Sequence, residues 1–557
     1  MPAIHHVTGI TADVQANVDF YVGLLGLRLV KRTVNHNDHN TLHLYYGDGT
    51  GAPGTLLTFF AWQAGVGGRR GHGQATEVGL VVPRDAIGYW TARLVEHGVR
   101  FAGPMASGGA TRLEFADPDG LSVTLVGLPV GANGLPALGE AGERGTPGPG
   151  SSGPPAAPGR GVAHVPLWSE HPAETGRVLG DLFGYERGPA DGTTTAYTSA
   201  APYGGTVYVR DVTGFWSSAD GAGALQHVAF DVPDGEALTR VAERIAELGL
   251  EQSPMREREY YQSRYFREPG GSLIEVATTG PGLTLDEPPE HLGESLVLPQ
   301  DLEGLRPDIE VVLPAFASPG EPREPRRDLG WVYRFVPGAD AAEPADTAPG
   351  AAGSAAGDAA TGAPAVAPAL TLLVLHGSGG SETQLLPIAR RAAPGANLLA
   401  PRGRSRNEAD LRFFARFPDG SFDQAELDHE ADALAEFVGE ACALHGLDPA
   451  RVVIFGYSNG AHIGAATLAR HPDAYAGAAL IRTVAPFDLP PFADLRGKPV
   501  LMLQGEDDHL LRGEADARLA TYLRANGAEL ELMTMPFGHY LEQADDEALR
   551  EWLERFA

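Results

Sequence analysis

Four times in about the first 280 residues, a short apolar run is followed by an amphipathic stretch and then by further apolar runs. The leading runs, IHHVTGIT, ATEVGLVV, VAHVPLW and LQHVAFDV, have the length and β-branched content of strands. The segments behind them are DVQANVDFYVGLLGL, PRDAIGYWTARLVEHGV, HPAETGRVLGDLFGY and PDGEALTRVAERIAELGL, and their apolar residues recur at helical spacing. The first and third of these end in Leu-Leu-Gly or Leu-Phe-Gly, the second and fourth in His-Gly or Leu-Gly, so a pair of units is duplicated. Each repeat closes on a Gly-led strand: PGTLLTFF, DGLSVTLV, GGTVYVRD and GGSLIEVA. Strand, helix and further strands repeated in this way predict an α+β fold of paired βαβββ modules.

From DLGWVYRFVPG onward, strands alternate with helices, which predicts an α/β domain with a mostly parallel, doubly wound sheet. Two segments are too poor in apolar residues to build a core, one near 136–161 and one near 338–369. The expected layout is a first module pair over 1–135, a Gly/Pro-rich linker over 136–160 and a second module pair over 161–315. An interdomain linker over 316–327 then leads to the α/β domain over 328–557, which carries a low-complexity insertion at 338–369.

With Lys+Arg 42 against Asp+Glu 72, the net charge of −30 disfavours nucleic acid and anionic lipid as partners. The start MPAIHHV has no basic region followed by an apolar one, and no apolar run approaches the roughly 18 residues of a spanning helix. A soluble, cytoplasmic protein is expected. The single cysteine, Cys442, sits in a helical pattern and is expected to pack rather than react.

Because side chains alternate along a strand, the residue before the recurring valine falls on the same face in every repeat. Those residues are His6, Glu77, His164 and His227. Counting from the glycines, the matching last-strand positions hold Thr58, Thr124, Val209 and Glu275. Two imidazoles and one carboxylate make the facial set that binds Fe(II), with Mn(II) able to use the same donors. His227 and Glu275 share a repeat, and the third donor is His6 or His164.

The module pattern resembles the vicinal-oxygen-chelate superfamily. More narrowly, IHHVTGIT, LGLRLVKRTVNHND, HLYYGDGTGAPGTLLTFF, LQHVAFDV and REYYQSRYFREPGGSLIEVATTGPG resemble ring-cleaving dioxygenases acting on hydroquinones, up to about residue 315. The resemblance implies His6, His227 and Glu275 as iron ligands, with His5 turned to packing or a hydrogen bond, and it places Arg258 and Tyr265 beside the substrate. In catechol-type relatives the third ligand comes from the third repeat, which is the case for His164. Where the family commonly has a second histidine before the fourth-repeat ligand, this chain has Gln226, whose amide hydrogen-bonds but does not shuttle protons.

In the second half, RVVIFGYSNGAHIGAATLARHP runs from a strand through Gly456-Tyr457-Ser458-Asn459-Gly460 into a helix, the G-x-S-x-G elbow that exposes a nucleophilic serine. Triad order then points to Asp508, with Asp507 as its neighbour and rival, in KPVLMLQGEDDHLL, and to His539 in LELMTMPFGHYL. The strand ending His-Gly-Ser-Gly-Gly offers amides to an oxyanion, and those of Ser378 and Asn459 are expected to form the hole. These motifs resemble the phospholipase/carboxylesterase branch of the α/β-hydrolases from about residue 328 onward. The expectation is a bifunctional enzyme, an Fe(II) extradiol-type dioxygenase using O2 and a phenolic substrate, fused to a serine hydrolase acting on an ester or acyl substrate. Its competitors are a glyoxalase-like lyase or isomerase, or a phenol- or quinone-binding module, fused to the same esterase.

Overall fold

The computed structural model describes residues 3–62, 66–129, 161–201, 204–323, 325, 327–338, 369–405, 410–488, 491–510 and 515–556. The expected linker at 136–160 and residues 339–368 of the expected insertion lie outside them. The chain forms two compact units, residues 1–304 with 313–323, and residues 305–312 with 324–557.

The first unit holds two curled sheets, and each draws one module from either half of the sequence repeat. Strand Ile4–Thr11 of the first module pairs antiparallel with Leu225–Val232 of the fourth, with His6 opposite Ala229 and Thr8 opposite His227. Strand Glu77–Pro83 of the second module pairs antiparallel with Val162–Ser169 of the third, with Gly79 opposite His164. The expected boundary at 135–161 therefore divides residues that share sheets. Each module ends as anticipated, its last strand parallel to its first: Leu56–Ala61, Ser122–Leu128, Thr206–Asp211 and Leu273–Pro281. The Gly-led count fails in the third module, where the ladder sets Tyr208 opposite Pro166 and Val209 opposite Leu167. One residue of register puts Tyr208, not Val209, on the face of His164.

The module helices cap as their sequences dictate. Asp13 and Asp234 accept hydrogen bonds from the amides of Ala16 and Ala237, and Gly184, at φ 66°, closes Pro172–Phe183. In the first module a short helix, Val14–Val18, widens into a π-turn over Asp19–Leu24.

The second unit is built on a seven-stranded sheet. Its edge strand Tyr333–Val336 runs antiparallel to Asn397–Pro401, and the remaining neighbours are parallel. Alternate residues feed two cores, as expected where helices cover both faces. Leu373, Leu375, Ile454, Leu480 and Met502 meet helices Gln424–His445 and Asn459–Arg470. Leu372, Val374, Phe455, Ile481 and Leu503 meet helices Leu386–Ala392 and Gln543–Leu553. Val311 and Val312 join the second core, so helix Arg306–Val312 packs with this unit although it precedes the linker expected at 316–327. Cys442 is buried in the first core, and burial pushes its thiol up to about 11, in line with packing rather than reactivity. No helix among the described residues is long and apolar enough to cross a membrane.

Ile454 is fully buried in the central strand of this sheet. Ile454→Ala should destabilise the second unit by about 2–5 kcal/mol, measured as a lowered midpoint of its urea transition.

Candidate functional sites

In the first unit, three ligand-capable atoms converge inside the first sheet. His6 Nε2 and His227 Nε2 lie 3.1 and 3.0 Å from Glu275 Oε2 and 3.2 Å from each other. The ladders explain the convergence: Ala229 is opposite His6 on one side and Glu275 on the other, and His227 is two residues before it on the same face. Ala229 offers only a methyl group at the centre. All three residues are buried, yet neither oxygen of Glu275 has a hydrogen-bond partner among the described residues. A buried carboxylate without donors is costly, and a divalent cation held by this donor set would satisfy it. His6, His227 and Glu275 are a possible metal site. Burial alone would raise the Glu275 carboxyl, but the two imidazoles outweigh it and hold the group well below its usual range.

The outer nitrogens of the two histidines are engaged, as metal-binding histidines require. His227 Nδ1–H donates to the Gln226 amide oxygen, leaving Nε2 bare. His6 Nδ1 is 2.9 Å from His5 Nδ1, and His5 also bonds the backbone of Thr278. His5 is buried beside Tyr261, and burial followed by the His6 neighbour lowers it to about 3, so it is neutral.

Above the three residues lies a cavity of 250 Å³ whose lining includes His43, Gln226, His227, Arg258 and Tyr265. The Arg258 guanidinium sits 5.6 Å from the centre of the Tyr265 ring. Tyr265 pairs with Glu275 across the sheet; burial and that carboxylate raise its hydroxyl well above the usual phenol, with Arg258 opposing them. Sequence reasoning missed Thr8 and His43. Thr8 Oγ1 is 3.0 Å from His227 Nε2 and 2.8 Å from Thr58 Oγ1, which is 2.9 Å from His43 Nε2. Thr8 was legible by parity alone, two residues after His6 on the same face.

His164 is in the other sheet. Its Nε2 bonds Glu77 Oε1 at 2.9 Å, and Thr124 donates to the same oxygen at 2.8 Å. The equivalent carboxylate here is satisfied within the protein, and His164 does not meet His227 or Glu275.

In the second unit, strand Val452–Tyr457 ends at Ser458, whose φ of 53° and ψ of −118° mark a strained elbow. The turn needs its glycines: a Cβ on Gly460 would stand 2.1 Å from the Leu375 carbonyl oxygen, and one on Gly456 2.5 Å from that of Gly460. Ser458 Oγ–H donates to His539 Nε2 at 3.0 Å, and His539 Nδ1–H donates to Asp508 Oδ2 at 2.8 Å. Asp508 is buried, whereas Asp507 is exposed and bonds Phe537 through its backbone. Ser378 follows Gly377, whose amide is held by Gln384, and precedes Gly379, whose amide is held by Leu411. Asn459 begins the helix behind the serine, and its side-chain oxygen accepts from the Phe413 amide.

Sequence reasoning also missed Arg482. It is fully buried with its backbone at φ 53°, and it makes two bonds to Asp545, at 3.0 and 2.9 Å. Its remaining donors reach the carbonyls of Gly538 at 2.8 Å and Tyr540 at 3.5 Å, on either side of His539, while Tyr457 donates to the His539 carbonyl at 3.1 Å. No motif announces such a residue, since its partners around His539 and in the C-terminal helix lie 56–63 positions away.

A family signature described as Glyoxalase/Bleomycin resistance protein/Dioxygenase superfamily matches residues 3–125. The chain is 37% identical over 307 residues to the "Putative ring-cleaving dioxygenase MhqO" of Bacillus subtilis strain 168, covering 55% of this chain and 94% of that protein. It is 30% identical over 317 residues to the chlorohydroquinone/hydroquinone 1,2-dioxygenase of Sphingobium indicum, covering 55% and 94%. Over 181 residues it is 38% identical to the "Putative hydrolase MhqD" of Bacillus subtilis strain 168, covering 32% of this chain and 90% of that protein.

Arg482→Met would leave Asp545 charged and buried without its partner, which should cost the second unit about 3–5 kcal/mol. Chemical denaturation of the variant beside Ile454→Ala measures this.

Proposed function

Because this chain belongs to the glyoxalase/bleomycin resistance protein/dioxygenase superfamily, we propose that its first unit is an extradiol-type dioxygenase that holds Fe(II) on His6, His227 and Glu275 and opens the ring of hydroquinones. The observation that carries the reading is the buried Glu275 carboxylate, unpartnered between two imidazole nitrogens at the floor of a ring-sized cavity. Fe(II) held there would supply the chemistry that activates O2 toward a phenolate, and Mn(II) suits the same donors.

The chain's own residues do the rest. Gln226 and His5 orient the two imidazoles. Arg258 holds the negative charge of the phenolate, and Tyr265, kept protonated by burial, donates a proton to the oxygen that gains charge as the ring opens. Both atoms of O2 end in the ring-opened product.

The second unit is proposed as a carboxylesterase, and it shares its family with the Bacillus subtilis hydrolase MhqD. Ser458 Oγ attacks the ester carbonyl while His539 takes its proton, then returns it to the leaving alcohol; Asp508 holds the imidazole in the tautomer this needs. The amides of Ser378 and Asn459 face the oxyanion, and water resolves the acyl-enzyme. Fusion of the two activities fits cytoplasmic degradation of aromatics or detoxification of quinones, with the esterase releasing a phenol or hydrolysing a ring-opened product.

The test is O2 uptake with methylhydroquinone after anaerobic Fe(II) loading. Uptake and bound iron should both be lost in His6→Ala and Glu275→Ala and kept in His164→Ala; a chain that binds iron but consumes no oxygen with any hydroquinone is a lyase or a binder. Ser458→Ala should lower hydrolysis of a p-nitrophenyl ester at least about 10³-fold while O2 uptake persists. A chelator should do the reverse, ending O2 uptake and sparing ester hydrolysis.

A further inference from the structure

Arg256 and Arg258 lie two residues apart at one edge of the first sheet, so both guanidinium groups turn to the cavity, while Glu257 faces away and accepts a bond from Gln262. Arg258 is accounted for by Tyr265 and Glu275. Arg256 is not. Its Nη1 donates at 3.0 Å to Asn37 Oδ1, in the hairpin at the opposite edge of the same sheet, so the side chain crosses the mouth of the cup. Its Nε is buried and has no hydrogen-bond partner. A buried cationic donor without an acceptor is costly, and a ligand could supply the acceptor.

The surroundings specify its charge. The chain carries a net −30, yet apart from Glu275 beneath the floor no carboxylate is among the described residues at this cavity, whose charged members are Arg256 and Arg258. Burial and then the neighbouring Arg258 lower His36 to about 4, so the two arginines carry the positive charge of the lining above Glu275. One is placed for the phenolate, and the other stands apart at the mouth. An apolar cavity of about 150 Å³ holds benzene, so 250 Å³ leaves room for a ring with a substituent.

We infer that the first unit takes hydroquinones bearing a carboxylate on the ring or on a short ring substituent, and that Arg256 recognises that carboxylate. The inference rests on the dioxygenase reading and narrows its substrate class. A planar guanidinium meets a carboxylate with paired bonds, a match that a methyl or chloro substituent lacks.

The full chain, loaded with Fe(II), is assayed for O2 uptake with 2,5-dihydroxybenzoate, 2,5-dihydroxyphenylacetate and methylhydroquinone. At least one acid should show a kcat/KM about tenfold or more above that of methylhydroquinone. Arg256→Gln should abolish that preference. Asn37→Ala, which breaks the strap and keeps the cation, should retain it; equal loss in both variants would mean that Arg256 only braces the sheet edges, and would overturn the proposal. A second readout needs no turnover: anaerobic titration of the full chain with 2,5-dihydroxybenzoate, followed by fluorescence of Trp62 in the cavity wall with Trp62→Phe as control. The dissociation constant should rise about tenfold in Arg256→Gln. Methylhydroquinone turned over better than both acids would overturn this proposal and leave the dioxygenase standing. If none of the three consumes O2, the dioxygenase reading falls, and the titration alone decides whether Arg256 binds carboxylate.

Discussion

Strand Ile4–Thr11 lies between two partners, antiparallel to Leu225–Val232 and parallel to Leu56–Ala61, with every residue buried. The antiparallel ladder joins the first module to the fourth and carries His6 across more than 200 residues of chain to His227 and Glu275. A slip of one residue would turn His6 out of the site and His5 into it. The second sheet shows what the same scaffold does otherwise: Gly79 stands in the place of Ala229, the carboxylate moves to the first strand as Glu77, and His164 and Thr124 satisfy it. One duplicated architecture yields a carboxylate without donors in one cup and a closed hydrogen-bond cluster in the other.

The second unit solves a different placement problem. Its serine is set by local sequence, because small residues at Gly456 and Gly460 let strand and helix approach closely around a strained backbone. His539 has no such local support. It sits on a loop after the last strand, and the loop is held by Arg482, just past the end of strand Gly477–Ile481, and by Tyr457 beside the serine. Arg482 is in turn held by Asp545 of the C-terminal helix, so the position of the histidine depends on packing far from the elbow. A buried ion pair of this kind is weak evidence for stability, but it fixes a geometry that a flexible loop would lose.

The charge of the chain and the charge of the residues lining its cavity have opposite signs. A strongly acidic surface keeps polyanions away, while two guanidinium groups at one sheet edge make a small enclosure that favours anions. The low-dielectric walls keep that local charge from being screened by the surface around it.

Residue order by itself determined the four-module repeat, the change to alternating strands and helices, the elbow with its triad order, and the histidines and carboxylate that share strand parity. These are local signals, carried by spacings of two, of 3.6 and of a five-residue motif. Only the tertiary structure brings His6, and not His164, beside His227 and Glu275, because nothing in the repeats says which first strands pair. It sets Asp508, and not Asp507, against the His539 imidazole, and replaces Val209 with Tyr208 where a register could not be counted from a glycine. It also revealed Thr8, His43, Arg256 and Arg482, whose partners are fixed by sheet closure and by burial of charge. Those are long-range constraints, and they leave no periodic mark on the chain.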